Sequence, residues 1–316
     1  MTLALSADNR PIAIASGFIL VILALGTVYT LAIQGNASFL SPTYLLQQLQ
    51  VGSFLGVVAA GMMLVILMGH IDLSVPWTLA AGAMMATAVG GPLAIPVGLA
   101  VGLAVGLVNG LGVAYLRVPS MIFTLGVNAV MRGLMVAHTG GFAPQTEATP
   151  LMEFLAVNRV ANIPMPLVVW AVLSLAIVLL LQRTPLGRYV YAIGNRERAA
   201  YLSGINTRLV LVIAFTICGL CSGLAGVLLA GYSTKAYQGM GDAYLLPAIA
   251  AVVIGGTNIL GGQGRYLGTV VGTILITLLS SVLSVMQMPE AGRQVIYGVV
   301  IIGMLLVYGR SQKVVG

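Results

Sequence analysis

The sequence contains few charged residues for its length. Of its 316 residues, 14 are Lys or Arg and 7 are Asp or Glu, so 7% carry a formal charge. Soluble domains have about 25% charged residues, because their surface helices need a polar face. This shortage excludes a soluble globular protein. A hydrophobic content of 59% also excludes a disordered chain, which requires low hydrophobicity and high net charge.

The residues that carry catalysis are also scarce. Two histidines and two cysteines cannot supply a four-ligand zinc site, and neither a GxxxxGK[ST] loop for ATP nor an HExxH helix occurs. Cys218 and Cys221 form a CxxC pair inside an apolar run, where small packing residues are favoured over a redox pair. No basic run is interleaved with aromatics, so nucleic-acid binding has no support. The chain is therefore predicted not to be an enzyme and to hold no metal or cofactor.

Long apolar runs, in contrast, cover most of the sequence. A membrane-spanning helix needs about 20 apolar residues, so we predict an all-α polytopic membrane protein with about ten transmembrane helices in a single domain, residues 1–316. The first run exceeds the core of a signal peptide and is expected to be a retained span. Segments 74–90 and 243–260 are short or interrupted by glycine, as in re-entrant or broken helices. The predicted spans are 11–33, 45–69, 74–90, 93–116, 119–137, 164–182, 209–231, 243–260, 266–287 and 294–309.

The basic residues are distributed unevenly between the two sides of these spans. With a cytoplasmic N-terminus, ten of the 14 lie inside, three outside and one within a span. The positive-inside rule therefore predicts that both termini are cytoplasmic, with an outer loop at 138–163 and a cytoplasmic loop at 182–208 that carries five arginines. The residues assigned to the inside are Arg10, Arg117, Arg183, Arg188, Arg196, Arg198, Arg208, Arg265, Arg310 and Lys313.

Glycines recur every fourth residue in three of the spans. At this spacing they share one helix face and allow a second backbone to approach, which is how helices pack in lipid. Packing is favoured over the alternative, a pore lining. The three series are Gly98, Gly102, Gly106 and Gly110; Gly219 and Gly223; and Gly264, Gly268 and Gly272.

A polar turn separates the second and third spans. It contains His70, Asp72 and Ser74, and an acidic group near a membrane is costly unless it is capped, paired or hydrated. One interpretation is that Asp72 or Ser74 caps the following helix, whose first turn would hold Pro76. The alternative is a proton relay of Asp72 and His70 in a secondary transporter. The cap is favoured, because no second buried carboxylate is available to continue a relay.

The cytoplasmic loop is predicted to contain a short surface helix over 195–202. Asn195 would cap it, Glu197 would lie in its first turn, and Ser203 with Gly204 would end it. Residues alone leave two interpretations open: a solvated loop, or a docking helix for a cytoplasmic partner. In the second, small residues would permit close approach and charged ones would fix the orientation. The predicted docking residues are Gly194, Asn195, Arg196, Glu197, Arg198, Ala199, Ala200 and Gly204.

Four blocks, in order along the chain, resemble the permease subunits of ABC importers for monosaccharides, the ribose-type, branched-chain-permease-like carbohydrate-uptake family. They are GMMLVI with IDLSV at 61–66 and 71–75; TLG with RGL at 124–126 and 132–134; LGR, YAIGN, AA and SGI at 186–188, 191–195, 199–200 and 203–205; and AIAAVVIGGT with GGQG at 248–257 and 261–264. The sequence departs from the family pattern at His70 and Pro76, where glycine is usual, and at Gln263, where arginine is common.

The resemblance implies a mechanism. Two permease subunits, identical or related, would form the pathway in the bacterial inner membrane. A periplasmic sugar-binding protein would deliver the substrate, and a separate cytoplasmic ATPase would bind ATP and Mg and dock on the inner loops. The helix at 195–202 would then be the coupling helix, and no residue of this chain would be catalytic.

Polar side chains inside apolar spans are weaker candidates for the substrate pathway. They are Asn109, Thr124, Asn128 and Arg132. A transported sugar needs hydrogen-bond donors and acceptors but no deep trap. The alternative role for each is interhelical hydrogen bonding. Asn128 and Arg132, four residues apart, are predicted to share one helix face.

Overall fold

The computed structural model describes residues 10–35, 37–142, 144 and 146–312, and these form twelve α-helices and one two-stranded sheet. Lys313 lies outside the described residues, as do the side chains of Arg10 and Arg310. The helices are α1 (Arg10–Gln34), α2 (Pro42–Leu67), α3 (Val75–Val89), α4 (Ala94–Leu116), α5 (Ser120–Thr139), α6 (Pro150–Val157), α7 (Met165–Arg183), α8 (Pro185–Leu202), α9 (Thr207–Ser233), α10 (Leu245–Ile254), α11 (Tyr266–Val285) and α12 (Glu290–Gln312); the strands are β1 (Arg159–Val160) and β2 (Ile163–Pro164).

Each of the ten predicted spans coincides with a helix. Among the described residues, seven helices are long and apolar enough to cross a membrane. The two segments predicted to be short are short: α3 has 15 residues and α10 has 10. At about 1.5 Å per residue, neither covers the roughly 30 Å of a bilayer core. The predicted class, an all-α multi-pass membrane protein, is confirmed. Because α3 and α10 are too short to span the core alone, we call them the half-helices.

The glycine series form close helix contacts as predicted, except that Gly264 precedes α11 and lies against Thr257, so it is not part of the helix face of Gly268 and Gly272. A Cβ atom at Gly102 would overlap the carbonyl oxygen of Gly219, and one at Gly106 would overlap that of Phe215, so α4 and α9 touch backbone to backbone. The same holds for α11 on α10, where Gly268 faces Gly255. These glycines pack helices where lipid supplies no hydrophobic drive.

The predicted outer loop contains regular structure. Pro150 starts α6, and the Thr149 hydroxyl caps it by accepting a hydrogen bond from the Met152 amide. Met152 is fully buried beside Gly231 near the end of α9. A hairpin of β1 and β2 follows. The loop is therefore an ordered cover on one end of the bundle.

At the opposite end of the bundle, the helix ends carry the arginines that the positive-inside rule assigns to the cytoplasm. There the Gly262 amide donates to the carbonyl oxygen of Leu67 at 2.8 Å, and the Tyr191 hydroxyl donates to that of Gly264 at 2.9 Å. The described arginines of this group lie in α8 or at the adjoining ends of α4, α7, α9 and α11: Arg117, Arg183, Arg188, Arg196, Arg198, Arg208 and Arg265. We call this the basic end. Its assignment to the cytoplasm is a prediction of the positive-inside rule.

Candidate functional site

The turn between α2 and α3 is organised around a buried carboxylate. Asp72 is 1% exposed, and its Oδ1 accepts hydrogen bonds from the Ser74 amide at 2.9 Å and the Ser74 hydroxyl at 2.7 Å. Asn109 of α4 donates to both carboxylate oxygens, at 3.3 and 3.4 Å, and to the Ser74 hydroxyl at 2.7 Å. Ser74 precedes α3 but its side chain makes no capping bond. The Asp72 side chain therefore orders the start of the half-helix, as an Asx-turn does.

His70 has a separate partner. Its Nδ1 lies 3.2 Å from the hydroxyl of Ser120, at the start of α5. Burial lowers the pKa of the His70 imidazole, an effect that the charge of Glu197 partly offsets. A lowered pKa keeps the ring neutral at neutral pH. His70 and Asp72 thus fix the turn to α5 and to α4 respectively, and this geometry favours a structural role for the turn over a relay. The expected helix cap is not formed, because the Asp72 bonds go to Ser74, which precedes α3 and has no capping bond of its own.

The four predicted pathway residues divide into two pairs. Asn109 and Thr124 are fully buried, and Thr124 accepts from the Leu73 amide at 2.9 Å. No solute reaches a fully buried side chain in this conformation. Both side chains instead hold the turn before α3 to α4 and α5, a structural role close to the interhelical bonding that was the alternative. Asn128 accepts from the Trp77 amide at 3.3 Å, and the Arg132 guanidinium lies 6.0 Å from the centroid of the Trp77 ring. Asn128 and Arg132 therefore share a face of α5, directed at the first turn of α3.

The cytoplasmic loop is more helical than predicted. Thr184 caps α8 by accepting from the Gly187 amide, with Pro185 at the first helical position. The helix breaks at Arg196, whose backbone is extended with φ −164° and ψ 96°. Asn195 donates to the Tyr191 carbonyl at 3.0 Å. The prediction that Asn195 caps the second part is therefore wrong: its side chain is engaged by the turn before it, and 197–202 is the second limb of a longer helix.

The bend holds α8 against the rest of the chain. A Cβ atom at Gly194 would overlap the Leu67 carbonyl oxygen, so Gly194 is needed for contact with the end of α2. Gly262, in the loop between α10 and α11, lies against Asn195. Gly194 and Asn195, which were predicted to contact a partner, both contact neighbouring segments of this chain. Asn195 is also exposed, so its contact with a partner stays a prediction. α8 thus touches the segments that follow α2 and α10.

The second limb of α8 presents a different surface from the one predicted. Glu197 forms an ion pair with Arg117 at 3.1 Å and accepts from the Thr207 hydroxyl at 3.3 Å. Ala200 is 4% exposed and faces inward, so it cannot allow the approach of a partner. Tyr201 and Leu202 are 65% and 80% exposed and were not among the predicted docking residues. The feature of the sequence that could have indicated them is an apolar pair that follows the charged residues of the second limb.

Three further residues of this limb agree with the predicted surface. Arg196, Arg198 and Ala199 are exposed. Gly204 has φ +85°, and its amide donates to the Tyr201 carbonyl at 3.0 Å, so it ends the helix as expected. We call the exposed side chains of Arg198, Ala199, Tyr201 and Leu202 the α8 surface. It is an apolar pair flanked by positive charge at the basic end of the bundle.

Comparison with known proteins gives a consistent assignment. Residues 44–305 match the family model described as "branched-chain amino acid transport system / permease component". The ribose import permease protein RbsC of Escherichia coli (strain K12) is 36% identical over 288 residues, 87% of this chain and 90% of the relative. RbsC of Bacillus subtilis (strain 168) is 39% identical over 274 residues, 84% and 85% of the two chains.

A third relative has a different name. The autoinducer 2 import system permease protein LsrC of Salmonella paratyphi B is 30% identical over 287 residues, 87% of this chain and 81% of the relative. No solved structure is found to match this chain. The family model covers well over half of the chain, and the relatives align over most of their own length. The chain therefore belongs to the family of permease components of branched-chain amino acid type transport systems.

Proposed function

We propose that this chain is the membrane-spanning subunit of an ATP-driven ABC importer that carries a monosaccharide across the bacterial inner membrane. The observation that carries the proposal is the α8 surface. It is an exposed apolar pair beside Arg198, and the helix that carries it packs against the rest of the bundle. The names of the ribose import relatives support a sugar as the substrate. ATP and Mg bind to a separate cytoplasmic ATPase, and this chain holds neither.

The attachment of α8 gives a route for coupling. Gly194 packs against the last carbonyl of α2, three residues before His70. Tyr191 and Asn195 contact the loop that follows α10. A force applied to α8 by an ATPase therefore acts directly on the segments adjoining both half-helices. In many transporters, discontinuous helices of this kind form the substrate site near the middle of the membrane.

The complete importer has further subunits. A second permease, either another copy or a relative, completes the pathway, and a periplasmic sugar-binding protein delivers the substrate. Asn128 and Arg132 are the pathway residues of this chain beside α3. Arg132 lies over Trp77, which orients the guanidinium for hydrogen bonding to sugar hydroxyls.

Replacing Asp72 by Asn separates this proposal from a proton-coupled transporter. Asn also forms Asx-turns, so its amide oxygen can keep the bond from the Ser74 amide. We expect D-ribose uptake by the Asp72→Asn importer in energised membrane vesicles to stay within about threefold of wild type. Uptake should also persist with an uncoupler while ATP is held constant, and stop with orthovanadate.

A second variant controls for the structural role of Asp72. Asp72→Ala removes the acceptor of Ser74 and Asn109, so it should lower thermal stability by an amount typical of a lost buried hydrogen-bond network, about 1–3 kcal/mol. Loss of uptake in Asp72→Asn at normal expression, together with sensitivity to the uncoupler, would favour the relay and contradict the proposal.

A further inference from the structure

A cavity of about 500 Å³ lies between α2, α10, α11 and α12. It is bounded by the first half of α2, the start of α10, the second half of α11 and the first turns of α12. Leu67, which contacts α8, is at the other end of α2, so the cavity lies toward the end of the bundle away from the basic end. Its volume falls in the range of small-molecule sites, about 300–1,000 Å³. No residue of this cavity was among the predicted site residues.

The lining contains many hydroxyl groups. Three serines and a threonine of α11 face the cavity, together with Gln48 of α2 and three tyrosines. The Tyr44 hydroxyl is already hydrogen-bonded to Ser281. Hydroxyl and amide groups both donate and accept, which suits a ligand that also carries hydroxyls. The polar lining residues in question are Tyr44, Gln48, Tyr244, Thr277, Ser280, Ser281, Ser284 and Tyr297.

Arg293 adds a donor that lacks an acceptor. Its Nη1 donates to the Ser284 hydroxyl at 2.9 Å and to that of Ser280 at 3.5 Å, and its Nη2 pairs with Glu290 at 3.0 Å. Within the described part of the chain, its buried Nε has no partner. A buried donor without an acceptor is costly, so the site favours a ligand oxygen there. Because Glu290 offsets the positive charge, that oxygen need not belong to an anion.

A neighbouring groove provides an internal comparison. It is lined mainly by apolar side chains, including Ile19, Leu23 and Trp170, and shares only Gln48 and Thr277 with the cavity. Lipid tails suit the apolar groove, whereas the cavity presents hydroxyl and amide groups and the unpaired Arg293 Nε, none of which a lipid tail can hydrogen-bond. The cavity therefore fits a polar solute.

We propose that this cavity binds a neutral monosaccharide at the periplasmic side of the transport pathway. This inference rests on the proposed function and names a site for its substrate. The serine and threonine hydroxyls, Gln48 and the Arg293 guanidinium hydrogen-bond to sugar hydroxyls, and the tyrosine rings cover the C–H faces of the ring. Several neutral hydrogen bonds give modest affinity, which permits release toward the cytoplasm.

Cysteine protection tests the inference without depending on transport. Both native cysteines are buried, so a Ser284→Cys substitution adds a single accessible thiol. In membrane vesicles containing the complete importer, D-ribose and a panel of neutral pentoses and hexoses are tested for slowing of maleimide labelling. At least one sugar should slow labelling of this cysteine severalfold. A Ser233→Cys control, exposed at the end of α9, should be labelled at an unchanged rate.

Uptake kinetics supply a second readout. Removing one neutral hydrogen bond in Gln48→Leu should raise the KM for uptake about tenfold, with co-purification of the ATPase unchanged. Thr87→Val is the matched control, because the Thr87 hydroxyl bonds only carbonyls of its own helix, those of Ala83 and Met84. If no sugar in the panel protects Ser284→Cys while the complex still imports sugar, the inference is overturned and the proposed function stands. Absence of ATP-dependent import of every sugar in the panel would overturn both.

Discussion

Replacing Tyr201 and Leu202 by aspartate should abolish co-purification of the ATPase subunit and, with it, ATP-dependent uptake. These are the large apolar side chains of the α8 surface, 65% and 80% exposed. Burying each against a partner contributes about 1.5–3 kcal/mol, and placing a carboxylate in the same apolar contact adds a desolvation cost. Together the two changes weaken binding by well over a hundredfold. Neither side chain supports the fold, so membrane insertion and thermal stability should be unchanged.

The hairpin offers a matched control. Val160 and Ile163 are also exposed apolar neighbours, 53% and 47%, but they lie on the far side of the bundle from α8. Val160→Asp with Ile163→Asp should leave the ATPase bound. Retention of the ATPase by the α8 variant would contradict the assignment of α8, and its loss from the hairpin variant would show that the cytoplasmic end has been assigned wrongly.

Gly102→Ala should destabilise the bundle although it adds only one methyl group. Its Cβ would overlap the Gly219 carbonyl oxygen, which is backbone and cannot rotate away, so α4 and α9 must separate. Overpacking of this kind costs about 1–3 kcal/mol. Among the described helices, α4 and α9 make the most extensive contact, and it includes this glycine face. We expect a lower melting temperature in detergent, by about 5 °C or more, and reduced yield of monodisperse protein.

Gly17→Ala is the control for this substitution. Gly17 lies within α1, and nothing is within 4 Å of the Cβ position there. Alanine is the better helix former by about 0.5–1 kcal/mol, so the melting temperature should be unchanged or slightly higher. Equal melting temperatures for the two variants would contradict the role of the glycine contact.

Features that depend on local pattern could be predicted from the sequence. The ten apolar runs each became a helix, because a segment in lipid must satisfy its own backbone hydrogen bonds. The glycine period identified the face on which α4 meets α9. The polar turn was recognised as the segment before α3, although neither Asp72 nor Ser74 makes a helix-capping hydrogen bond there. In each case the residues that decide the outcome are within a few positions of one another.

Features that depend on contacts between distant segments could not be predicted. Glu197 looked free to orient a partner, but its charge is paired with Arg117, 80 positions away. Ala200 is buried, and it lies after the break at Arg196 that changes the direction of the second limb. No feature of the local sequence indicates that break. The cavity beside Arg293 draws on α2, α10, α11 and α12, so its polar residues are scattered through the sequence.

The central claim is that this chain moves a sugar only when a separate ATPase drives it. The direct measurement is uptake of D-ribose and the panel of neutral pentoses and hexoses into proteoliposomes that contain the purified chain, with or without the ATPase subunit and the binding protein, at fixed ATP and with or without an imposed proton gradient. We expect uptake only in the complete system, and its loss in the Tyr201→Asp, Leu202→Asp variant. Uptake by the chain alone, driven by an imposed proton gradient, would contradict the account.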